Sequence, residues 1–220
     1  MEPTTSIRCV IFDCDGTLID SERLCLQAIC LTLEEIDIHV SYQWLKEEWQ
    51  GTKIDIIFSS ILGMHCQIEE VNLTALITRY REHCNQLFAQ ELEPIDGVME
   101  VIQELDKRNI AYCIASNAPL EKMDITLNLT KLMPYFENKI FSAFEVGSWK
   151  PEPTLLLTAL NTLGFTPEQA LFIDDSPVGA EAGVRAGIRT LYFTHQQTNT
   201  TSLAGTHTIT HLKECLAHLI

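Results

Sequence analysis

The chain has no CxxC pair, no basic N-terminal start leading into an apolar stretch, and no cluster of lysines or arginines. No apolar run approaches the ~20 residues that a bilayer-spanning helix needs. Each absence closes a class of function. Without CxxC pairs or a secretory segment, the eight cysteines (Cys9, Cys14, Cys25, Cys30, Cys66, Cys84, Cys113 and Cys215) read as small buried hydrophobes in a reducing compartment. Lys and Arg number 15 against 30 Asp and Glu, a formal charge of −15 that repels nucleic acid and anionic membranes. Neither is expected as a partner, and the chain reads as cytoplasmic. GxGxxG and P-loop patterns are also missing, so Gly179, Gly183 and Gly187 point to close helix packing rather than a nucleotide loop.

What is present is an alternation. Arg8–Phe12 is a short apolar run ending in Asp13-Cys14-Asp15-Gly16-Thr17, a buried strand feeding a loop. A helix is predicted from Asp20 or Ser21, carrying Leu24, Ala28, Leu31 and Leu33 on one face. Helices at Tyr42–Trp49, Lys53–Leu62 and Leu73–Leu87 follow, with breaks at Gly51 and Gly63. From Ile95 onward, strands at 111–115, 139–142, 170–173 and 190–193 alternate with helices at 98–105, 119–129, 154–163 and 178–186. Such alternation predicts a Rossmann-like α/β core, a parallel sheet with helices on both faces. The first strand can pair only with the later ones. Residues 1–17 and 91–220 therefore form the core domain, and 18–90 is a helical domain inserted after the first strand. The Thr-rich stretch 194–210 reads as loop with a short strand at Thr208-Ile209, and Leu212–Ile220 as a closing helix.

In an open parallel sheet, ligands gather beyond the carboxyl ends of the strands. There lie Asp13 and Asp15, Ser116 and Asn117, Asp174 and Asp175, with Lys150 on the loop after the Phe141 strand. Four carboxylates on one rim need a cation, and an all-oxygen donor set suits Mg²⁺. An ionised carboxylate can attack phosphorus, and Asp15 can protonate the leaving alkoxide and later activate water. Lys150, Ser116 and backbone N–H groups would hold the phosphoryl oxygens.

Taken together, Asp13-Cys14-Asp15-Gly16-Thr17, Ser116-Asn117, Lys150-Pro151 and Asp174-Asp175 resemble, in order, the four motifs of the haloacid dehalogenase-like superfamily. The resemblance covers nearly the whole chain and implies that the helical insertion is that superfamily's cap domain. It also implies that Asp13 is nucleophile and metal ligand, and that Asp15 is the acid/base and a metal ligand through its carbonyl. Asp175 is implied as a direct ligand, Asp174 as a ligand or the partner of one, and Ser116, Asn117 and Lys150 as phosphate contacts. Within the superfamily, Trp149-Lys150-Pro151-Glu152-Pro153 and Asp174-Asp175-Ser176-Pro177 look most like bacterial 6-phosphogluconate phosphatases, and β-phosphoglucomutases carry the same set. The resemblance implies a Mg²⁺-dependent phosphatase of a small phosphorylated metabolite. A phosphomutase and a catalytically silent binding module are the alternatives, and a monomer or weak homodimer is expected.

Weaker features have ordinary readings. The loop at Asp13 is no EF-hand, because Gly16 comes too early and no Glu stands at the twelfth position. His207 and His211 are four apart but lack an adjoining Glu. Trp44 and Trp49 read as core. Gly51-Thr52-Lys53 resembles the loop that reaches substrate from the cap, and equally reads as a wet helix start.

Overall fold

The computed structural model describes residues 6–49, 52–65, 71–195 and 203–219. Among them the chain divides into a sheet unit, Met1–Asp20 with Glu93–Ile220, and a helical unit, Ser21–Leu92. The strands are β1 (Cys9–Phe12), β2 (Ala111–Ser116), β3 (Ile140–Ser142), β4 (Ala170–Asp174), β5 (Arg189–Phe193) and β6 (Thr206–Ile209). They form one sheet in the order β3-β2-β1-β4-β5-β6, every pairing parallel. The order reverses at the β1–β4 pair, the topological switch point where such sheets open a crevice.

Helices α1 (Ser21–Glu34), α2 (Tyr42–Trp49), α3 (Ile54–Met64) and α4 (Leu73–Glu91) make up the helical unit. Helices α5 (Val98–Lys107), α6 (Leu120–Leu129), α7 (Met133–Phe136), α8 (Ala143–Val146), α9 (Thr154–Leu163) and α10 (Pro177–Arg185) belong to the sheet unit. Side chains of a strand alternate between faces, so the unbroken apolar run of β1 serves two cores. Val10 and Phe12 join Val101, Ile102 and Leu105 of α5 and Met123 and Leu127 of α6. Cys9 and Ile11 join Leu156, Ala159 and Leu160 of α9 and Ala182 of α10. Both layers are built of buried apolar side chains, whereas the buried acids lie at the strand ends.

The helical unit has its own core. Leu26, Ile29 and Leu33 of α1 pack with Leu45, Phe58, Ile61 and Leu76. Arg79 of α4 binds Glu35, just past α1, with its Nε at 2.8 Å from Oε2 and Nη2 at 2.6 Å from Oε1. Hydrogen bonding from Arg79 holds the Glu35 carboxyl down at about 2.

The structure departs from several sequence-based expectations. Gly63 does not break its helix; α3 runs on to Met64 and closes at His65. Its Cβ position faces open space, so glycine there is only a mild helix destabiliser. The C-terminal helix is a 3₁₀ helix, Leu212–His218, unusually long for that tighter winding. The Thr-rich tail contains the longer strand β6, whose β-branched threonines suit a sheet edge. Trp44 and Trp49 are half-buried, edge-to-face at 6.1 Å. Leu18 and Ile19 lie in the core of the sheet unit.

Gly179 and Gly183 are buried on α10, as close packing requires. A Cβ on Gly183 would run into Thr190 and reach the Phe172 ring at 2.7 Å. Gly187 instead takes φ +71°, a left-handed position. We expect Gly183→Ala to lower stability by about 1–3 kcal/mol through overpacking. A shifted urea midpoint at unchanged m-value is the measurement, and an unchanged midpoint would show that α10 can retreat.

Candidate active site

The site lies at the carboxyl ends of β1 and β4. Asp13 immediately follows β1, its N–H donating to the Ile173 carbonyl at 2.9 Å. Asp174 closes β4 and is fully buried. Between them stands Lys150, 6% exposed, whose Nζ lies 2.6 Å from Asp13 Oδ1 and 2.6 Å from Asp174 Oδ2. An ammonium so far from water is tolerable only because two carboxylates accept its hydrogen bonds. Burial works against the charge of Lys150, but Asp13 and Asp174 outweigh it and raise its pKa.

Four supports hold this cluster. Asn117 clamps the lysine by its backbone: the Lys150 N–H donates to Oδ1 at 2.9 Å, and Nδ2 donates to the Lys150 carbonyl at 3.3 Å. Ser176 donates to Asp174 Oδ1 through its N–H at 2.8 Å and its hydroxyl at 2.6 Å, while capping α10 by accepting from Gly179 N–H. Thr17 donates to Asp175 Oδ1 at 3.0 Å. Gly16, at φ +77°, lets its loop run against Asp175, whose carboxyl carbon would sit 2.6 Å from an added Cβ. The loop is tied further by Leu18 N–H to the Cys14 carbonyl at 2.9 Å and Gly16 N–H to the Ile19 carbonyl at 2.9 Å.

Asp13, Asp174 and Asp175 each offer an oxygen within 4.8 Å of the others. Ionised, these three carry −3 against the +1 of Lys150, leaving −2. A hard divalent cation would cancel that excess, and the all-oxygen donor set fits one. Without a cation, burial pushes the Asp13 carboxyl up to about 8, opposed by Lys150 and reinforced by Asp174 and Asp175. Burial raises the Asp175 carboxyl too, against the His195 ring 3.9 Å away.

The remaining residues singled out from sequence fall as follows. Ser116 is buried at the end of β2, its hydroxyl accepting from Ala118 N–H at 3.2 Å. Asn117 engages the Lys150 backbone through both polar atoms of its amide. Asp15 turns its carboxylate to Lys122, 2.8 Å away, and is outside the three-acid cluster. Thr52 and Lys53 precede α3 in the helical unit, and Gly51 lies outside the described residues. His207 and His211 join no acid, histidine or cysteine cluster among the described residues. Sequence reasoning missed Lys122 and His195 as site neighbours, and it assigned no role to Thr17 and Ser176, which stand in the strand-end motifs. Ser176 before Pro177 was readable as a helix cap, and Lys122 stands out as a cation in a helix's first turn.

A family profile described as haloacid dehalogenase-like hydrolase matches residues 10–193. The chain belongs to that family. Among curated members, 6-phosphogluconate phosphatase of Escherichia coli (strain K12) is 31% identical over 191 residues, 85% of this chain and 82% of that protein. Pyrophosphatase PpaX of Bacillus cereus (strain AH820) is 30% identical over 186 residues, 84% of this chain and 82% of its own. The crystal structure of a putative β-phosphoglucomutase from Thermotoga maritima superposes with TM-score 0.83 at 25% identity, covering 97% and 98% of the two chains. Haloacid dehalogenase-like hydrolases are metal-dependent, and the acidic cluster here is where this member can hold its ion.

The charge excess generates a prediction. A buried acid at about 8, against 3.8 in the unfolded chain, keeps its proton only when folded. Its contribution to stability is full below about pH 4 and is lost as pH rises toward 8. In chelator-treated protein, Asp13→Asn should flatten this part of the stability-against-pH curve. Cation addition should raise the wild-type melting temperature more at pH 8 than at pH 5. Equal increments at both pH values would contradict the charge excess.

Proposed function

We propose that the chain is a Mg²⁺-dependent phosphatase of a small phosphorylated metabolite, a sugar or sugar-acid phosphate, working through an aspartyl-phosphate on Asp13. The observation that carries the reading is the Asp13 carboxylate, fixed at 2.6 Å from a buried lysine and within 4.8 Å of two further acids. Such a carboxylate, once a cation and Lys150 offset its charge, is an oriented nucleophile beside a ready-made anion site.

In the first half-reaction an Asp13 oxygen bonds to phosphorus as the bond to the leaving oxygen breaks. Asp15 gives that oxygen its proton. In the second, Asp15 takes a proton from water, whose oxygen attacks phosphorus; inorganic phosphate leaves and the Asp13 carboxylate is restored. Lys150 and the Ser116 hydroxyl receive the phosphoryl oxygens. Asp13 and Asp175, with the Asp15 carbonyl, would hold Mg²⁺, which supplies charge neutralisation and orientation of the phosphate. Asp174 has donors on both oxygens. It is assigned to holding Lys150. Thr52 and Lys53 are offered as substrate contacts on their sequence resemblance alone.

The choice of substrate class follows the names of the relatives, 6-phosphogluconate phosphatase foremost. Asp13→Asn should lower Mg²⁺-dependent phosphate release by about a thousandfold or more. Substantial residual turnover would reject the nucleophile. A panel of 6-phosphogluconate, β-glucose 1-phosphate and inorganic pyrophosphate, scored for free phosphate and for glucose 6-phosphate, separates the readings. Glucose 6-phosphate without free phosphate would favour a mutase; a preference for pyrophosphate would displace the sugar-acid assignment.

A further inference from the structure

Lys122 is a poor choice for its position in α6. It stands in the third residue of the helix, where the exposed N–H groups make a cation unfavourable. Nor does the pair explain itself as a stabilising bridge, for its side chains are 33% and 22% exposed and such pairs contribute little. Yet its ammonium lies 2.8 Å from Asp15 Oδ2.

The reach is a constrained one. Met123, Thr126 and Leu127 bury the other face of α6. The loop leading into the helix is pinned by Ser142 Oγ to the Ala118 carbonyl at 2.7 Å and by the Asn117 clamp on Lys150. One loop therefore sets both lysines of the site. Lys150 reaches the acid that follows β1, and Lys122 reaches the acid two residues on. Asp15 sits on a turn whose backbone is bonded on both sides, and Lys122 meets the carboxylate that this turn carries.

We propose that Lys122 is a positioning residue that aims the Asp15 carboxylate as the base for water attack on the aspartyl-phosphate. This rests on the phosphatase reading above. In that step the water O–H proton passes to an Asp15 oxygen, the water oxygen bonds to phosphorus, and the Asp13–phosphorus bond breaks. The ammonium binds the oxygen that does not take the proton and keeps the other turned to the water. A misdirected base of this kind costs up to about a hundredfold.

p-Nitrophenyl phosphate with Mg²⁺ isolates the step, since p-nitrophenolate departs with little need of a proton. For Lys122→Met, kcat should fall about 10–100-fold, and KM should fall with it so that kcat/KM stays within a few-fold. The acid-quenched protein should hold more aspartyl-phosphate, and Lys122→Arg should restore most of kcat. Lys122→Gln is read by the same criteria if the Met variant unfolds. Unchanged kcat and phosphoenzyme would overturn the proposal. So would a raised KM at constant kcat, which would make Lys122 a substrate-binding group, or a kcat/KM that falls as far as kcat. If wild type yields no phosphoenzyme and Asp13→Asn remains active, the parent reading fails as well. Phosphoenzyme that forms normally and ignores Lys122 defeats this inference alone.

Discussion

Three acids and one ammonium share a small volume at the point where the strand order reverses, and most local features follow from keeping them there. The Lys150 ammonium bridges Asp13 and Asp174 across the β1–β4 pair. Parallel pairing brings these two strand ends level, with Phe12 registered against Ile173. The register therefore sets the spacing of the acids that follow. A slip of one residue would turn one acid to the opposite face.

Like charges at such spacing work against folding, and the chain confines that cost to one edge. Among the described residues, the side chains that pack the two faces of the sheet form two extensive apolar clusters. Backbone and hydroxyl donors are spent on Asp174 and Asp175, and close-approach glycines replace side chains where Asp174 and Asp175 need room. Gly179 illustrates the limit: any Cβ there would overlap the Asp174 carboxyl. The residue that lets α10 approach the sheet is thus also the one that leaves room for Asp174.

The sheet, its parallel sense and the acids at its rim were legible because the signals are local. An apolar run followed by an acid marks a strand end, and turn residues mark the reversals. Lys150 was legible only through its company with the other motifs, since nothing in Trp149-Lys150-Pro151 says that the side chain is buried. The role of Asn117 was not legible. Its partner is the backbone of a residue 33 positions on, and a backbone contact carries no sequence mark. Lys122 was hidden for a similar reason, because its partner lies on another strand's loop. The 3₁₀ winding of the C-terminal segment and the strand β6 depend on neighbours rather than propensity.

The chain leaves the sheet unit and returns to it at almost one place. Ile19 and Pro94 form an antiparallel bridge, and Asp20 N–H donates to the Glu93 carbonyl at 3.0 Å. To the sheet, everything between those residues is a loop whose ends are already fastened together. Loop length then bears only weakly on the stability of the sheet. Helices can be lengthened, exchanged or lost beyond this junction at little cost to the sheet. One sheet with its rim of acids can in this way carry helical insertions of quite different length.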